Sequence, residues 1–204
     1  MRLVGGISRG VPLIVPKRGT RPTSDKVREA LFSIINNFVE DAHCLDLFAG
    51  SGSLGLEALS RGAESCVFVD IGRESCSAIE KNLEKAKFQN GTIKKQRTNS
   101  YLQYCSDVFD VIFADPPYDF SDNVNNLDEL FFSNCFYKLL RIDGLFILET
   151  RISESVMPSS NELALKDVRV YGDTQLNLFL RPVSYTHLRA HETDSYLVCR
   201  LLLE

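Results

Sequence analysis

The stretch from His43 to Asp70 constrains the fold most, because strand-like apolar runs alternate there with a helical segment around a glycine-rich loop. A strand is predicted for HCLDLF, a helix that ends at Gly62 for SLGLEALSRG, and a second strand for SCVFVD. Strands separated by helices form parallel β-α-β units with right-handed crossovers. The sequence therefore predicts an α/β protein with a doubly wound, mostly parallel sheet.

The same alternation continues towards the C-terminus. Helices are predicted from Arg73 to Lys87 and from Leu127 to Leu140, and a weak strand near Gly91–Lys95. The run from Phe109 to Ala114, apolar except for Asp110, is typical of a strand covered on both faces. Gly144 leads into the strand LFILET, and the GDT turn joins LALKDVRVY and LNLFLR in a C-terminal antiparallel hairpin.

The N-terminal residues predict two smaller elements that pack on this core. The first 16 residues alternate apolar and turn-forming residues, which indicates a short β-hairpin. The stretch RPTSDKVREALFSIINNF predicts an amphipathic helix that Thr23 or Ser24 can cap. Its apolar face would comprise Val27, Ala30, Leu31, Ile34, Ile35 and Phe38. Residues 1–182 are expected to form one domain, with the hairpin and helix in 1–40 and the core in 41–182.

We predict that residues 183–204 are a non-native tail, because VSYTHLRAHET and LVCRLLLE resemble a translated sequencing-library adapter. The tail contains His187 and His191 at helical i, i+4 spacing beside Glu192, a pattern that suggests a metal site when taken alone. Without the tail His43 is the one histidine left, so we expect neither a metal ion nor histidine-based catalysis.

The six cysteines predict buried free thiols rather than disulfides or a zinc site. No two of them form a CxxC pair, and several lie in apolar runs, where a reduced cysteine behaves as a small hydrophobic residue. The cysteines are Cys44, Cys66, Cys76, Cys105, Cys135 and Cys199.

The charge distribution is uneven, although the net charge of the whole chain is −4. Residues 1–30 hold seven Lys or Arg residues against two Asp or Glu residues. Such an arm fits either a surface that contacts phosphates or a solvated basic stretch. The chain has no apolar run near the roughly 20 residues that span a bilayer and no signal-peptide core at its start. We therefore expect a cytoplasmic protein without a membrane partner.

The loop in LDLFAGSGSLGLEAL is a candidate ligand site. Gly50 and Gly52 allow a sharp turn and let backbone N–H groups approach a ligand before the next helix begins. Asp70 ends the following strand, 18 residues after Gly52, where a carboxylate can accept hydrogen bonds from both hydroxyls of a ribose. The loop thus predicts a nucleoside-containing cofactor.

Two cofactor classes compete for this loop. Gly50, Gly52 and Gly55 complete GxGxxG, which is typical of nicotinamide dinucleotide sites. Asp46 argues against that class, because a dinucleotide site usually has an apolar residue there and needs room for pyrophosphate. Its carboxylate instead suits the ammonium group of S-adenosylmethionine, and RTNSYLQ would bring Asn99 near the adenine ring.

The tetrapeptide DPPY, from Asp115 to Tyr118, follows the fourth core strand at the edge where open α/β sheets bind ligands. Two prolines end a strand in any protein, but that role explains neither the carboxylate nor the aromatic ring. DPPY is typical of methyltransferases that act on exocyclic amino groups. The Asp115 carboxylate and the Pro116 carbonyl can accept the two N–H bonds of the amine and aim its lone pair at the methyl group. Tyr118 can stack on the base.

The chain resembles the RsmD-like family of bacterial 16S ribosomal RNA guanine-N2 methyltransferases, from about Arg2 through Arg181. Three motifs carry the resemblance: RPTSDKVREALF, CLDLFAGSGSLGLEALSRGA and FADPPY. The resemblance implies a Rossmann-like class I methyltransferase fold, S-adenosyl-L-methionine as cofactor and a monomer. It also implies that the partner is 16S rRNA or a small ribosomal subunit particle. The implied target is the N2 amino group of a guanine, as in the guanine 966 methyltransferases of this family.

The same resemblance implies three groups of site residues. The cofactor would be bound by Asp46, Phe48, Gly50, Ser51, Gly52, Asp70, Ile71, Asn99 and Ser100. The catalytic group would be Asp115, Pro116, Pro117 and Tyr118, and Arg21 and Thr23 would border the substrate. Gly72 stands where the family often carries a charged residue, so we assign it no ligand contact.

Two other functions stay open at this point. DPPY fits an adenine N6 or cytosine N4 amine in DNA or RNA as well as guanine N2, and the RPT motif with the lack of a DNA-recognition domain favours ribosomal RNA. A non-enzymatic nucleotide-binding or RNA-binding module could share the fold. The carboxylates of Asp46, Asp70 and Asp115 argue against such a module, because it would not need all three.

Overall fold

The computed structural model describes residues 1–16, 24–117, 127–152, 158 and 162–183. Its strands form one seven-stranded sheet in the order β3-β2-β1-β4-β5-β7-β6. The strands are β1 (His43–Leu47), β2 (Ser65–Asp70), β3 (Gly91–Lys95), β4 (Phe109–Ala114), β5 (Leu140–Arg151), β6 (Ala164–Tyr171) and β7 (Thr174–Leu180). Strands β1 to β5 pair in parallel, and β7 is antiparallel to both β5 and β6. This confirms the predicted mostly parallel sheet with a C-terminal antiparallel hairpin.

The helices cover both faces of the sheet. They are α1 (Asp25–Val39), α2 (Ser53–Ser60), α3 (Arg73–Ala86), α4 (Thr98–Tyr104), α5 (Leu127–Phe131) and α6 (Asn134–Tyr137). On one face, α1, α2 and α3 pack around Phe113, whose ring lies 5.7 Å from that of Phe32. On the other, α4, α5 and α6 pack around Phe146, 4.7 Å from the ring of Phe136. None of these described helices is both long enough and apolar enough to cross a membrane.

The N-terminal segment differs from the predicted β-hairpin. A single isolated bridge between Arg2 and Pro12 replaces two regular strands. Gly6 and Gly10 adopt left-handed φ angles of 72° and 88°, so the chain turns repeatedly instead of extending. The segment still packs on the core as predicted, because the side chain of Leu3 is fully buried there.

The single helix predicted from Leu127 to Leu140 is wrong. The structure has two short helices, because the Ser133 hydroxyl accepts a hydrogen bond from the Phe136 N–H and caps a second helix start. Leu140 begins β5 and pairs with Phe109, so the fifth strand starts four residues before Gly144.

The first helix agrees with the prediction, except that one residue predicted to be buried is exposed and an arginine is buried instead. It begins at Asp25, and the Ser24 hydroxyl accepts from the Val27 N–H at 3.3 Å. Ile34, predicted to be buried, is 40% exposed, whereas Arg28 is fully buried. The arginine is tolerated in the core because its guanidinium lies 2.9 Å from Asp25 and 3.6 Å from Glu57.

The prediction that the cysteines are buried free thiols is confirmed in part. Cys44 and Cys66 are buried free thiols, Cys76 and Cys105 are half-buried, and Cys135 is exposed. Burial raises the pKa of the Cys44 thiol, which therefore stays protonated. Cys199 lies outside the described residues.

Candidate active site

Four carboxylates lie at or near the carboxyl ends of adjacent parallel strands. Asp70 ends β2, Asp46 lies in β1, Asp115 follows β4, and Glu149 lies near the end of β5. Strands β1 and β4 are neighbours in the sheet although they are not successive in the chain. The connections of an open α/β sheet diverge at such a point and leave a crevice that binds ligands. The carboxylates therefore surround the expected ligand position.

The glycine loop between β1 and α2 turns tightly against the core. Gly50 and Gly52 have left-handed φ angles of 55° and 75°, and Phe48, just before them, has a φ of 58°. A Cβ atom at Gly52 would lie 3.1 Å from Ile79 and 3.2 Å from Phe68, so both the angle and the space favour glycine. The loop thus carries no side chain at these two positions, so a ligand can approach its backbone closely.

Asp46 lies beneath this loop and is 2% exposed. Its Oδ2 accepts a hydrogen bond from the Gly55 N–H at 2.9 Å, so the carboxyl holds the first turn of α2. Burial raises the pKa of Asp46 from 3.8 to about 8, the Gly55 hydrogen bond opposes that rise, and the charge of Asp70 adds to it. The carboxyl is therefore largely neutral at neutral pH and would ionise more readily beside a cation.

Gly55, the third glycine of the loop motif, has a packing role. A Cβ atom there would lie 2.4 Å from the ring of Phe68 and 2.5 Å from Cys66 Sγ. Only glycine lets α2 approach β2 this closely, which keeps the N–H of residue 55 within reach of Asp46.

Asp70 joins the glycine loop to the end of β2. Its Oδ2 accepts from the Gly50 N–H at 2.8 Å, and its Oδ1 accepts from the Gly72 N–H at 2.7 Å. Each carboxylate oxygen has a second lone pair, which a hydroxyl could use. Gly72 thus positions the carboxylate, and the neighbouring Ile71 is 57% exposed, which leaves an apolar surface for a flat ring.

The other predicted cofactor residues lie in two places. Asn99 and Ser100 are exposed in the first turn of α4, directly beyond β3 and at the same edge of the sheet. Ser51 is 6% exposed, and its hydroxyl lies 3.8 Å from Met1 Sδ, so its side chain faces the N-terminal segment. Its carbonyl accepts from the amide of the buried Asn82, a residue that the sequence did not single out.

The DPP part of the predicted catalytic motif directly follows β4. Asp115 is half-buried, Pro116 is buried and Pro117 is exposed. Burial raises the pKa of Asp115 well above its usual range, and the charges of Glu149 and Asp46 raise it further. The structure therefore brings Asp115 into the same electrostatic environment as the glycine-loop carboxylate.

Three predicted site residues cannot be placed. Tyr118, Arg21 and Thr23 lie outside the described residues. Glu149 lies at the candidate site but was not predicted from the sequence. A carboxylate near the end of the apolar strand LFILET is the sequence feature that could have indicated it. Among the described residues, no group of three His, Cys, Asp or Glu side chains has an arrangement that could hold a metal ion.

Comparison with known proteins assigns the chain to a family. The family model described as "Conserved hypothetical protein 95" matches residues 1–180. The chain belongs to this family. The chain is also similar to the Ribosomal RNA small subunit methyltransferase D of Escherichia coli K12. The two are 32% identical over 185 residues, which cover 89% of this chain and 90% of the relative. This confirms the family that the sequence motifs predicted.

Solved structures resemble this member of the Conserved hypothetical protein 95 family over most of its length. The yhhF protein of Escherichia coli superposes with a TM-score of 0.78 at 32% identity, over 89% of this chain and 98% of that one. The more distant SMU.776 protein, solved in complex with SAH, matches 72% of this chain and 48% of its own with a TM-score of 0.60 at 15% identity. The predicted Rossmann-like class I methyltransferase fold is thereby confirmed.

Proposed function

We propose that this protein transfers the methyl group of S-adenosylmethionine to the exocyclic N2 amino group of a guanine in 16S ribosomal RNA. The observation that carries the proposal is the position of Asp115 and Pro116 at the end of β4, directly beside the strand that leads into the glycine loop. The name of the Escherichia coli relative supports ribosomal RNA as the substrate class.

The residues around the glycine loop fit the cofactor. Asp70 would accept the hydroxyls of the ribose, and the loop from Gly50 to Gly52 would lie against the amino-acid end. The exposed Ile71 and Asn99 would border the adenine. The buried carboxyl of Asp46 would favour the cationic methionine portion. When bound, the cofactor supplies an electrophilic methyl group on a sulfonium.

The chain's own residues then orient the nucleophile. An exocyclic amine is a weak nucleophile, because its lone pair is delocalised into the ring. The Asp115 carboxylate and the Pro116 carbonyl would accept its two N–H bonds and direct the lone pair at the methyl carbon. The Asp115 carboxylate would stabilise the positive charge that develops on N2 as this nitrogen takes up the methyl group. The Asp115 carboxylate would then accept the proton that N2 loses.

The N-terminal segment supplies exposed positive charge for RNA. Arg2, Arg9 and Lys26 are exposed and, together with Asp25 and Glu29, line a cavity of about 290 Å³ between this segment and α1. Arg28 does not contribute to that surface, because it is buried and paired with Glu57. Phosphates of a folded RNA are the expected partners of the exposed residues.

The test is transfer of tritiated methyl from S-adenosylmethionine to ribosomal RNA and to small-subunit particles that lack the modification. Nucleoside analysis should find the label in N2-methylguanosine. Label in N6-methyladenine or N4-methylcytosine, in this RNA or in a parallel DNA substrate, would keep the chemistry and overturn the base. Cofactor binding without transfer to any substrate would overturn the enzymatic proposal and favour a binding module.

A further inference from the structure

We propose that Lys94, Lys95 and Arg97 bind phosphates of the RNA strand that carries the target base. We name these three residues the β3 rim, because they stand at and just beyond the carboxyl end of strand β3. The inference rests on the proposed function and adds to it an RNA-binding surface that is separate from the N-terminal segment.

The β3 rim belongs to a stretch of the chain in which every charge is positive. Between Glu84 and Asp107 the sequence has five Lys or Arg residues and no Asp or Glu, although the net charge of the whole chain is −4. All three rim residues are exposed. None of their side chains takes part in an ion pair within the part of the chain that the structure describes. Their charge is therefore available to an anion from outside the protein.

The sheet register places the rim at the ligand-binding edge. Lys95 pairs with Asp70, the carboxylate proposed for the ribose, on the neighbouring strand β2. Ile93 packs against the core on the side of α1, α2 and α3, and side chains alternate along a strand, so Lys95 belongs to that face and Lys94 to the opposite one. Arg97 directly precedes α4. The rim therefore presents positive charge on both sides of the sheet at this edge.

The spacing of the strands brings the rim within reach of RNA bound at the candidate site. Strands β2 and β1 separate β3 from β4, which Asp115 directly follows. Three strand spacings of about 4.8 Å place the rim about 14 Å from the position proposed for the base. Successive phosphates of one strand advance by about 3.4 Å along a nucleic-acid helix, so about four nucleotide steps bridge this distance. Phosphates within a few nucleotides of the target therefore reach the rim.

Protection of the sheet edge does not by itself explain this charge. Among the described strands β3 and β6 form the two edges of the sheet, and lysines on an edge strand discourage pairing with another chain. On β6, however, the charges have partners. The Arg169 guanidinium lies 2.8 Å from the Asp167 carboxylate, and the Lys166 ammonium lies 4.5 Å from the centre of the Phe38 ring. The β3 rim instead has one sign throughout, which indicates an external anion.

Helix capping does not explain Arg97 either. Arg97 is the N-cap residue of α4, and its side chain forms no capping hydrogen bond. N-cap positions favour Ser, Thr, Asp and Asn, whose side-chain oxygen accepts from helix N–H groups, whereas a guanidinium can only donate. Its planar set of N–H donors instead matches the oxygens of a phosphate.

The cofactor is not the anion that the rim would bind. S-adenosylmethionine has no phosphate, and its ammonium and sulfonium groups outweigh its single carboxylate, so it is a cation overall. In the proposed function its amino-acid end lies against the glycine loop after β1, two strands away from β3. The RNA backbone, with one negative charge per nucleotide, is the partner in the proposed reaction whose charge matches the rim.

The test measures filter binding of a labelled 16S ribosomal RNA transcript at salt concentrations from about 50 to about 200 mM. The rim variant replaces all three rim residues with glutamine. Each phosphate contact on single-stranded RNA contributes about 0.7 to the slope of log K against log salt, so the slope should become shallower by about 2. Over this fourfold range of salt, the wild type should lose about 16-fold more affinity than the rim variant.

A control variant removes the same number of exposed cations from α6, β5 and β6, and it should keep the wild-type slope: Lys138→Gln, Arg141→Gln and Lys166→Gln. Equal changes of slope in the two variants would show a general effect of net charge and overturn the proposal. Should the rim variant not fold, Lys94→Gln alone should make the slope shallower by about 0.7, and an unchanged slope would overturn the proposal as well.

Cofactor affinity and solubility separate RNA binding from other roles of the rim. The affinity of the rim variant for S-adenosylmethionine should stay within about twofold of wild type, because the substitutions are at exposed positions. Weaker cofactor binding with an unchanged salt slope would assign the rim to the cofactor and overturn the proposal. Aggregation of the variant with an unchanged salt slope would reduce the rim to edge protection and also overturn it.

Methyl transfer distinguishes failure of the rim from failure of the proposed function. With the wild type active on the transcript, the rim variant should raise KM for RNA and leave kcat at saturating RNA unchanged. If the wild type binds the transcript and the rim variant has the shallower salt slope, but the wild type transfers no methyl group, the rim is supported and the proposed function is refuted.

Discussion

Asp115 lies one strand away from the glycine loop, so its loss should affect chemistry more than cofactor binding. We expect Asp115→Ala to lower kcat by at least about 100-fold, because an oriented acceptor for the amine is removed. The dissociation constant for S-adenosylmethionine, measured by calorimetry, should stay within a few-fold of wild type. Asp107→Ala, an exposed aspartate before β4, serves as the control. Equal losses in turnover and in cofactor affinity would assign Asp115 to cofactor binding or to folding.

Asp46 should make cofactor affinity depend on pH. Burial raises its pKa from 3.8 to about 8, so the folded, ligand-free protein holds a proton that the unfolded chain releases. The sign follows from linkage: between about pH 4 and pH 8 the folded state binds more protons, so its stability falls as pH rises. A cationic ligand favours the ionised carboxylate, and its binding should therefore release a proton.

The expected result is an S-adenosylmethionine affinity that rises by up to tenfold per pH unit from about pH 5 to pH 7. Calorimetry in buffers of different ionisation enthalpy would count the released proton. Asp46→Asn, which cannot ionise, should bind more weakly and with little pH dependence in that range. A wild-type affinity that does not change with pH would contradict the assignment of Asp46 as the titrating group.

At the scale of elements, Asn82 of α3 ties the N-terminal segment to the glycine loop. Its amide donates to the carbonyls of Ile14 and Ser51 at 2.9 and 3.0 Å, and its Oδ1 accepts from the Ile14 N–H at 2.8 Å. Asn82 is fully buried, so Asn82→Leu would leave these backbone groups without partners away from water. We expect faster hydrogen exchange at the Ile14 N–H and weaker cofactor binding.

Asn90 provides a matched control for that prediction. Its amide donates to the carbonyls of Ala63 and Glu64, at the opposite edge of the sheet and away from the N-terminal segment. Asn90→Leu should lower the melting temperature without changing exchange at Ile14. If both variants accelerate exchange equally, Asn82 acts through global stability and does not couple the two elements.

The elements that the sequence predicted best are those whose limits are set locally. The predicted bounds of β3 and β4 match the structure, because Gly91 marks the start of β3 and a mainly apolar run defines β4. The break at Ser133 was missed, since a capping serine inside an apolar helical pattern competes with continuation of the helix. The helix α4 was missed as well, because its seven residues are too few for a periodic pattern.

The residues of the candidate site also differ in whether the local sequence indicates them. The positions of Asp46, Asp70 and Asp115 near the carboxyl ends of strands could be predicted, because each lies close to a strand end or in a motif with a local spacing. Glu149 depends on which strand lies next to β4, and sequence order does not give that. Asn82 depends on contacts with residues 31 and 68 positions away in the chain. Polar groups satisfied across such distances have no local signature.

At the scale of the whole molecule, the crevice divides the site into two halves. Asp46 and Asp70 come from β1 and β2, where we propose that the cofactor binds, and Asp115 directly follows β4, where we propose that the base enters. Glu149 lies on the neighbouring strand β5. The antiparallel β7 pairs with β5 along seven residues and fixes the strand that carries Glu149. The C-terminal hairpin therefore supports the half of the site that would hold the base.

That arrangement predicts where the chain can be shortened. The family match ends at residue 180, but the Arg181 guanidinium donates to the carbonyls of Tyr137 and Leu140 at 2.6 Å, between α6 and β5. We expect truncation after Pro182, which removes the whole predicted tail, to leave the melting temperature and methyl transfer unchanged. Truncation after Leu180 should lower the melting temperature by roughly 5 °C, because two carbonyls lose a charged donor. Calorimetric scans of both truncated forms test this prediction. Unfolding of the longer form would show that residues 183–204 contribute to the native fold. Equal melting temperatures of the two forms would show that Arg181 does not stabilise the start of β5.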